Sequence, residues 1–146
     1  MKKVATFGEI LLRLATPNKE RILQAKNFDA DYGGGEYNVA VSLSQFGVPT
    51  KFVTALPDNA VGDSAMFRIK GFGIDSSSII RQGDRMGLYF LEHGAAMRAS
   101  KVVYDRARSS ISEIKLGDID WEKAFNGIDW FHFTGITPAL SSSAAD

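Results

Sequence analysis

The sequence predicts a mixed α/β fold in which buried parallel strands alternate with helices. Three observations carry that prediction. Short apolar runs at Val4–Phe7, Lys51–Leu56 and Trp130–Phe133 read as strands covered on both faces. The segments between them show helical spacing with explicit start and stop residues. From Ser78 to Ala107 that rhythm breaks, and apolar and polar residues alternate as in strands with one wet face.

In chain order, Val4–Phe7 is the first buried strand, and Gly8-Glu9 follows at its C-terminal end, where open α/β sheets tend to place ligands. Ile10–Leu14 reads as a second strand, broken by Pro17-Asn18; Asn27–Tyr32 reads as a polar, loop-like lead. Gly33-Gly34-Gly35 then opens a helix with Val39, Leu43 and Phe46 at helical spacing, stopped by Gly47 and Pro49. Lys51–Leu56 is closed by Pro57-Asp58, and a helix over about 61–72 follows, with Met66, Ile69 and Phe72 inward and Gly73 as its stop. Asp58, Asp63 and His132 read as structural: a turn, a helix cap and a strand residue. Ser78–Arg81, Met86–Glu92 and Lys101–Ala107 read as three strands, the last two joined around Gly94-Ala95-Ala96. Asp118 and Asp120 are cap candidates for a short helix at Trp121–Phe125, and Pro138 opens a further helical turn.

A chain of 146 residues is long enough for one domain with its own core. Acidic and basic residues balance at 17 each without a basic cluster, which argues against nucleic acid as a partner. The absence of cysteine excludes disulfides, thiolate metal sites and a cysteine nucleophile, and two isolated histidines, His93 and His132, make a poor metal site. No apolar run approaches the roughly 20 residues that span a membrane. Glu9 and Arg13 interrupt any signal-like stretch after Met1-Lys2-Lys3, so the cytoplasm is the expected location.

The glycine segment is the most specific motif. Glycine leaves no side chain between the backbone and a ligand, the helix that follows begins with free N–H groups, and Asn38 on its first turn both donates and accepts. Such a surface suits a small hydroxylated molecule. With Val4–Glu9, Leu56–Asp63 and Phe133–Ile136 it resembles, in order, the ribokinase-like (PfkB) carbohydrate kinases. The resemblance implies a central, mostly parallel sheet flanked by helices and a small β lid, here at about 10–32 and 78–108, inserted into one domain over 1–146. In that family a Gly-Gly pair and a following Asn grip the sugar; here these are Gly33, Gly34 and Asn38.

Strand alternation puts Gly87, Tyr89 and Leu91 on one face, and Tyr104 with Arg106 on one face of the next strand. A forked guanidinium suits a carboxylate, which a neutral sugar does not require. Arg106 pairing across the strands with Glu92 is the plainer alternative. Gly87–Glu92, Val103–Arg106 and Gly8–Leu14 are similar to the subgroup that phosphorylates 2-keto-3-deoxygluconate. That likeness implies that Leu11 lines the pocket, that Tyr89, Tyr104 and Arg106 take the acid end, and that Ile136 lies at the floor. Asp105 departs from the subgroup, where an aromatic is common, and alternation turns it away from the pocket. Glu36 either faces solvent or adds an acceptor for hydroxyls.

The resemblance further implies ATP and Mg²⁺ as cofactors and a homo-oligomer through the lid. It places the catalytic Asp in a Gly-Ala-Gly-Asp motif that does not occur in these residues, nor does a Walker-type loop. The catalytic Asp is therefore expected beyond Asp146, the ATP-binding residues mostly outside this chain, and this segment alone inactive. Fructose, then ribose or a nucleoside, are the rival substrates, and a non-catalytic sugar-binding or dimerising fragment is the rival class.

Overall fold

The computed structural model describes residues 2–146. Four parallel strands form the body sheet: β1 (Val4–Phe7), β4 (Thr50–Leu56), β5 (Ile79–Arg81) and β8 (Trp130–His132), in the order β5-β4-β1-β8. All seven residues of β4 are buried, as a strand covered on both faces requires. Phe52 and Leu56 pack with Tyr37, Ala40, Ala65 and Ile69 from two helices, α1 (Gly35–Gln45) and α2 (Ala60–Gly71). Val53 and Ala55 face the opposite layer, where Phe7 meets Ile111, Ile114, Ile119 and the short helix α3 (Trp121–Phe125). Each large side chain buried this way contributes about 1.5–3 kcal/mol.

The smaller sheet contains β2 (Leu11–Ala15), β3 (Asp29–Gly33), β6 (Leu88–Glu92) and β7 (Lys101–Asp105), in the order β3-β2-β6-β7. Its central pair, β2 and β6, runs parallel, and both outer strands run antiparallel to their neighbours. Asp31 of β3 ties this sheet to the body: it accepts from Arg13 on β2 at 3.0 Å and from Arg68 on α2 at 2.6 Å.

Four local readings change. Ser78–Arg81, expected in the lid, yields β5, which pairs in parallel with β4 and extends the body sheet. The lid position is instead completed by β3, within the stretch read as a loop. Its polar residues sit on an edge strand whose Asp31 is satisfied by arginines, so polarity there does not mark a turn. The cap of α2 is Asn59, whose side chain accepts from Val61 N and Gly62 N at 3.1 Å, whereas Asp63 pairs with Arg81 at 2.7 Å. The helix α1 buries Glu36, Tyr37 and Ala40, while Val39 and Leu43 are only half-buried and Phe46 is 83% exposed.

Other local signals hold. Asp120 caps α3 by accepting from Lys123 N at 2.9 Å, Gly73 follows α2 with φ of 72°, and Pro138 begins a 3₁₀ turn ahead of α4 (Ser142–Ala145). Among the described residues no helix is long and apolar enough to cross a membrane.

Candidate active site

The cleft is built where the C-terminal ends of body strands meet the start of α1 and one face of the smaller sheet. Gly34, which precedes α1, has φ of +149°, a region that favours glycine, and a Cβ there would strike the carbonyl oxygen of Glu9. Gly33 is bare for another reason: a Cβ would lie 2.7 Å from the Tyr89 hydroxyl. No side chain caps α1, so its first-turn N–H groups remain for solvent or a ligand.

The smaller sheet supplies the opposite wall. Tyr89 on β6 and Tyr104 on β7 are direct cross-strand partners with ring centroids 5.7 Å apart. Leu91 and Val102 form the next pair on the same face. The result is a cleft of about 350 Å³ lined by Leu11, Gly34, Asn38, Tyr89, Tyr104, Arg106 and Ile136, together with Glu9, Glu36 and Leu91. The fold thus gathers seven of the residues anticipated from sequence, and Gly33 lies directly behind the Tyr89 hydroxyl.

A larger depression of about 840 Å³ lies between Gln82 and Ser141. Its buried serines already donate to backbone carbonyls, Ser110 to Arg85 and Ser112 to Ser109. Arg108 and Gly83 line it but no tyrosine does, so size alone does not make it the better site.

Arg106 lies just past β7 and turns onto Glu9. Its Nε donates to Glu9 Oε2 at 2.8 Å, and its Nη2 donates to the same oxygen. Ser109 Oγ donates to Glu9 Oε1 at 2.7 Å. The pairing with Glu92 weighed from sequence does not form: Glu92 is taken by Arg98 and by the Ile22 backbone N–H. Asp105 faces away from the cleft and its carboxylate pairs with the Arg85 guanidinium at 2.9 Å. Burial pushes the Glu9 carboxyl above its ordinary range. The Ser109 hydroxyl and the Arg106 guanidinium oppose that rise without cancelling it, and the nearby Glu36 carboxylate adds to it.

Glu36 is 2% exposed and does not face solvent. Its Oε1 accepts from the Thr134 hydroxyl, and its carboxylate lies so close over Gly8 that a Cβ there would collide with it. Thr134 lies just past β8 and Gly8 just past β1, so this carboxylate sits across the ends of adjacent strands. Sequence reasoning named the place at Gly8-Glu9 but not Glu9 as a wall of the cleft. The available signal was a charged residue set directly after a buried strand.

A parallel α/β body, a small β sheet and a glycine-walled cleft between them define a small-molecule-binding fold of the sugar-kinase type. The chain belongs to the pfkB family of carbohydrate kinases, whose family pattern matches residues 1–145. It is 31% identical over 141 residues to a 2-dehydro-3-deoxygalactonokinase of Haloferax volcanii, covering 97% of this chain and 44% of that protein. A 2-dehydro-3-deoxygluconokinase of Bacillus subtilis is 25% identical over 142 residues, with the same coverage of 97% and 44%. The crystal structure of 2-dehydro-3-deoxygluconokinase from Thermotoga maritima superposes with a TM-score of 0.94 at 55% identity, over 97% of this chain and 43% of that one. The chain thus spans about 44% of the length of these two relatives, less than half.

Proposed function

We propose that this chain forms the sugar-binding part of an ATP-dependent kinase whose substrate is a sugar acid of the 2-keto-3-deoxygluconate type. One observation carries the reading: Tyr89, Tyr104 and Arg106 converge on the same cleft as Gly34 and Asn38. Glu9 occupies only the Nε–Nη2 edge of Arg106. The end-on fork formed by Nη1 and Nη2 is left to grip a planar carboxylate. At the other end, Asn38 and Glu36 supply donors and acceptors for hydroxyls, while Leu11 and Ile136 give apolar walls. The names of the relatives support the same substrate class.

Phosphoryl transfer depends mostly on positioning and charge neutralisation, and these residues would orient the acceptor hydroxyl and exclude water around it. ATP, when bound, supplies the γ-phosphoryl, and Mg²⁺ the neutralising charge. Among the described residues no three His, Cys, Asp or Glu side chains converge as metal ligands. We place the protein in the cytoplasm and its self-association on the smaller sheet, where every residue of β7 is exposed.

One observation favours a neutral sugar such as fructose instead: two carboxylates, Glu9 and Glu36, share the cleft with a single guanidinium. Calorimetric titration of the wild type and Arg106→Ala with 2-keto-3-deoxygluconate and with fructose decides between them. The proposal expects selective loss of the acid; equal weakening of both sugars would sink it.

A further inference from the structure

We infer that Glu9 is a positioning residue for substrate recognition, holding Arg106 by one edge so that its remaining fork faces the cleft. This rests on the acid-binding role proposed for Arg106.

The geometry is specific to that task. Glu9 Oε2 receives both Nε and Nη2, the side-on edge of the guanidinium, and Ser109 fixes the other carboxylate oxygen. The Glu9 side chain is 4% exposed against 24% for Arg106, so the anchor is buried and the cation is at the cleft. A buried carboxylate is costly unless it is hydrogen-bonded, and here it accepts from three donors. The guanidinium also lies over the Tyr104 ring, with Cζ 5.4 Å from the centroid, which restrains its plane. Gly87 keeps the passage open: a Cβ there would collide with Glu9 Oε1 and approach Arg106 Cβ to 3.2 Å. Two residues 97 positions apart, one beyond β1 and one beyond β7, are thereby joined across a gap that Gly87 leaves open.

A flexible arginine on an exposed strand end would lose rotamer freedom on meeting a ligand. Held by Glu9, it meets the substrate already oriented. A second effect follows from charge. Compensated by Glu9, Arg106 gains little from any passing anion and most from one shaped to take the end-on fork.

The test is a double-mutant cycle on the full chain, titrating wild type, Glu9→Gln, Arg106→Ala and the double variant with 2-keto-3-deoxygluconate and with fructose. Glu9→Gln should weaken the acid by about ten-fold more than it weakens fructose, the worth of one charge-assisted hydrogen bond. In the Arg106→Ala background the same substitution should add nothing. Additive losses, or equal losses for both sugars, would show that Glu9 is only a structural residue and overturn the inference. An Arg106→Ala variant that binds the acid normally would have a different meaning: the acid-binding reading itself fails, and the inference falls with it. A ligand-free readout stands beside the cycle. The Arg106 Nε–H resonance, assigned by its loss in Arg106→Ala, should be slow to exchange in the wild type and fast in Glu9→Gln. Unchanged protection in Glu9→Gln overturns the positioning role even if that variant binds poorly. Ser109→Ala should shift both readouts in the same direction by less.

Discussion

Tyr89 and Tyr104 face each other across β6 and β7 with their rings tilted at 43°, and the Tyr89 hydroxyl rests against Gly33. The glycine segment and the tyrosine wall are therefore one fitted unit, although 56 residues separate Gly33 from Tyr89.

Gly33→Ala is the direct probe of that fit. Its methyl would lie 2.7 Å from the Tyr89 oxygen, so the ring has to move. The expected result is weaker sugar-acid binding with little change in melting temperature, since the displaced hydroxyl is at the end of a half-buried side chain. Gly33→Ala combined with Tyr89→Phe should recover part of the loss, as measured by titration.

Gly34→Ala should behave differently, because backbone strain adds to a collision with the Glu9 carbonyl. Forcing a non-glycine residue into that φ region costs about 1–3 kcal/mol. A clear fall in denaturation midpoint is expected, alongside loss of sugar binding. A midpoint equal to the wild type would show that the segment relaxes without cost.

Buried Glu36 and half-buried Thr134 form a pair at the body end of the cleft. Thr134→Val removes the donor and leaves a carboxylate oxygen without it, which costs about 1–3 kcal/mol. Adding Glu36→Gln, which takes away the buried charge, should restore much of that stability in chemical denaturation. A double variant as unstable as the sum of the two singles would mean that the residues do not act as a pair.

Asp75 provides the pH-dependent case. Burial alone would raise its pKa, but hydrogen bonds from Ser77 and Lys3 outweigh it and hold the carboxyl at about 2. A folded pKa below the unfolded value of 3.8 means that the group stabilises the fold above that value. The contribution fades as pH falls from near 3.8 toward 2. Asp75→Asn should flatten the stability curve over that interval and leave its slope near neutrality unchanged, as followed by circular dichroism.

Much of this arrangement was legible because it depends on local rules. Continuous apolar runs gave β1 and β4, glycines marked the start of α1, and strand alternation put Tyr89 and Tyr104 on one wall. What stayed hidden depended on partners distant in sequence. The ionic partner of Arg106 is Glu9 rather than the nearer Glu92, because Gly87 opens a path that no spacing rule reveals. β3 was obscured because Asp29 and Asp31 look like turn residues until Arg13 and Arg68 are placed beside Asp31. The three-residue β5 joined the body sheet because β4 offered it a free edge, and a run that short carries no signal for which sheet it will choose. Val39, Leu43 and Phe46 mark a helix by their spacing, yet the buried residues of that helix are Glu36, Tyr37 and Ala40.

Glu9 touches the cleft twice: its backbone carbonyl is packed against Gly34, and its side chain grips Arg106. In the proposed complex both ends of the sugar acid would thus be measured from a single origin at the tip of β1. For the proposed sugar-acid substrate the cleft would then act as a gauge of length, rejecting acids whose carboxylate and hydroxyls are too near or too far apart.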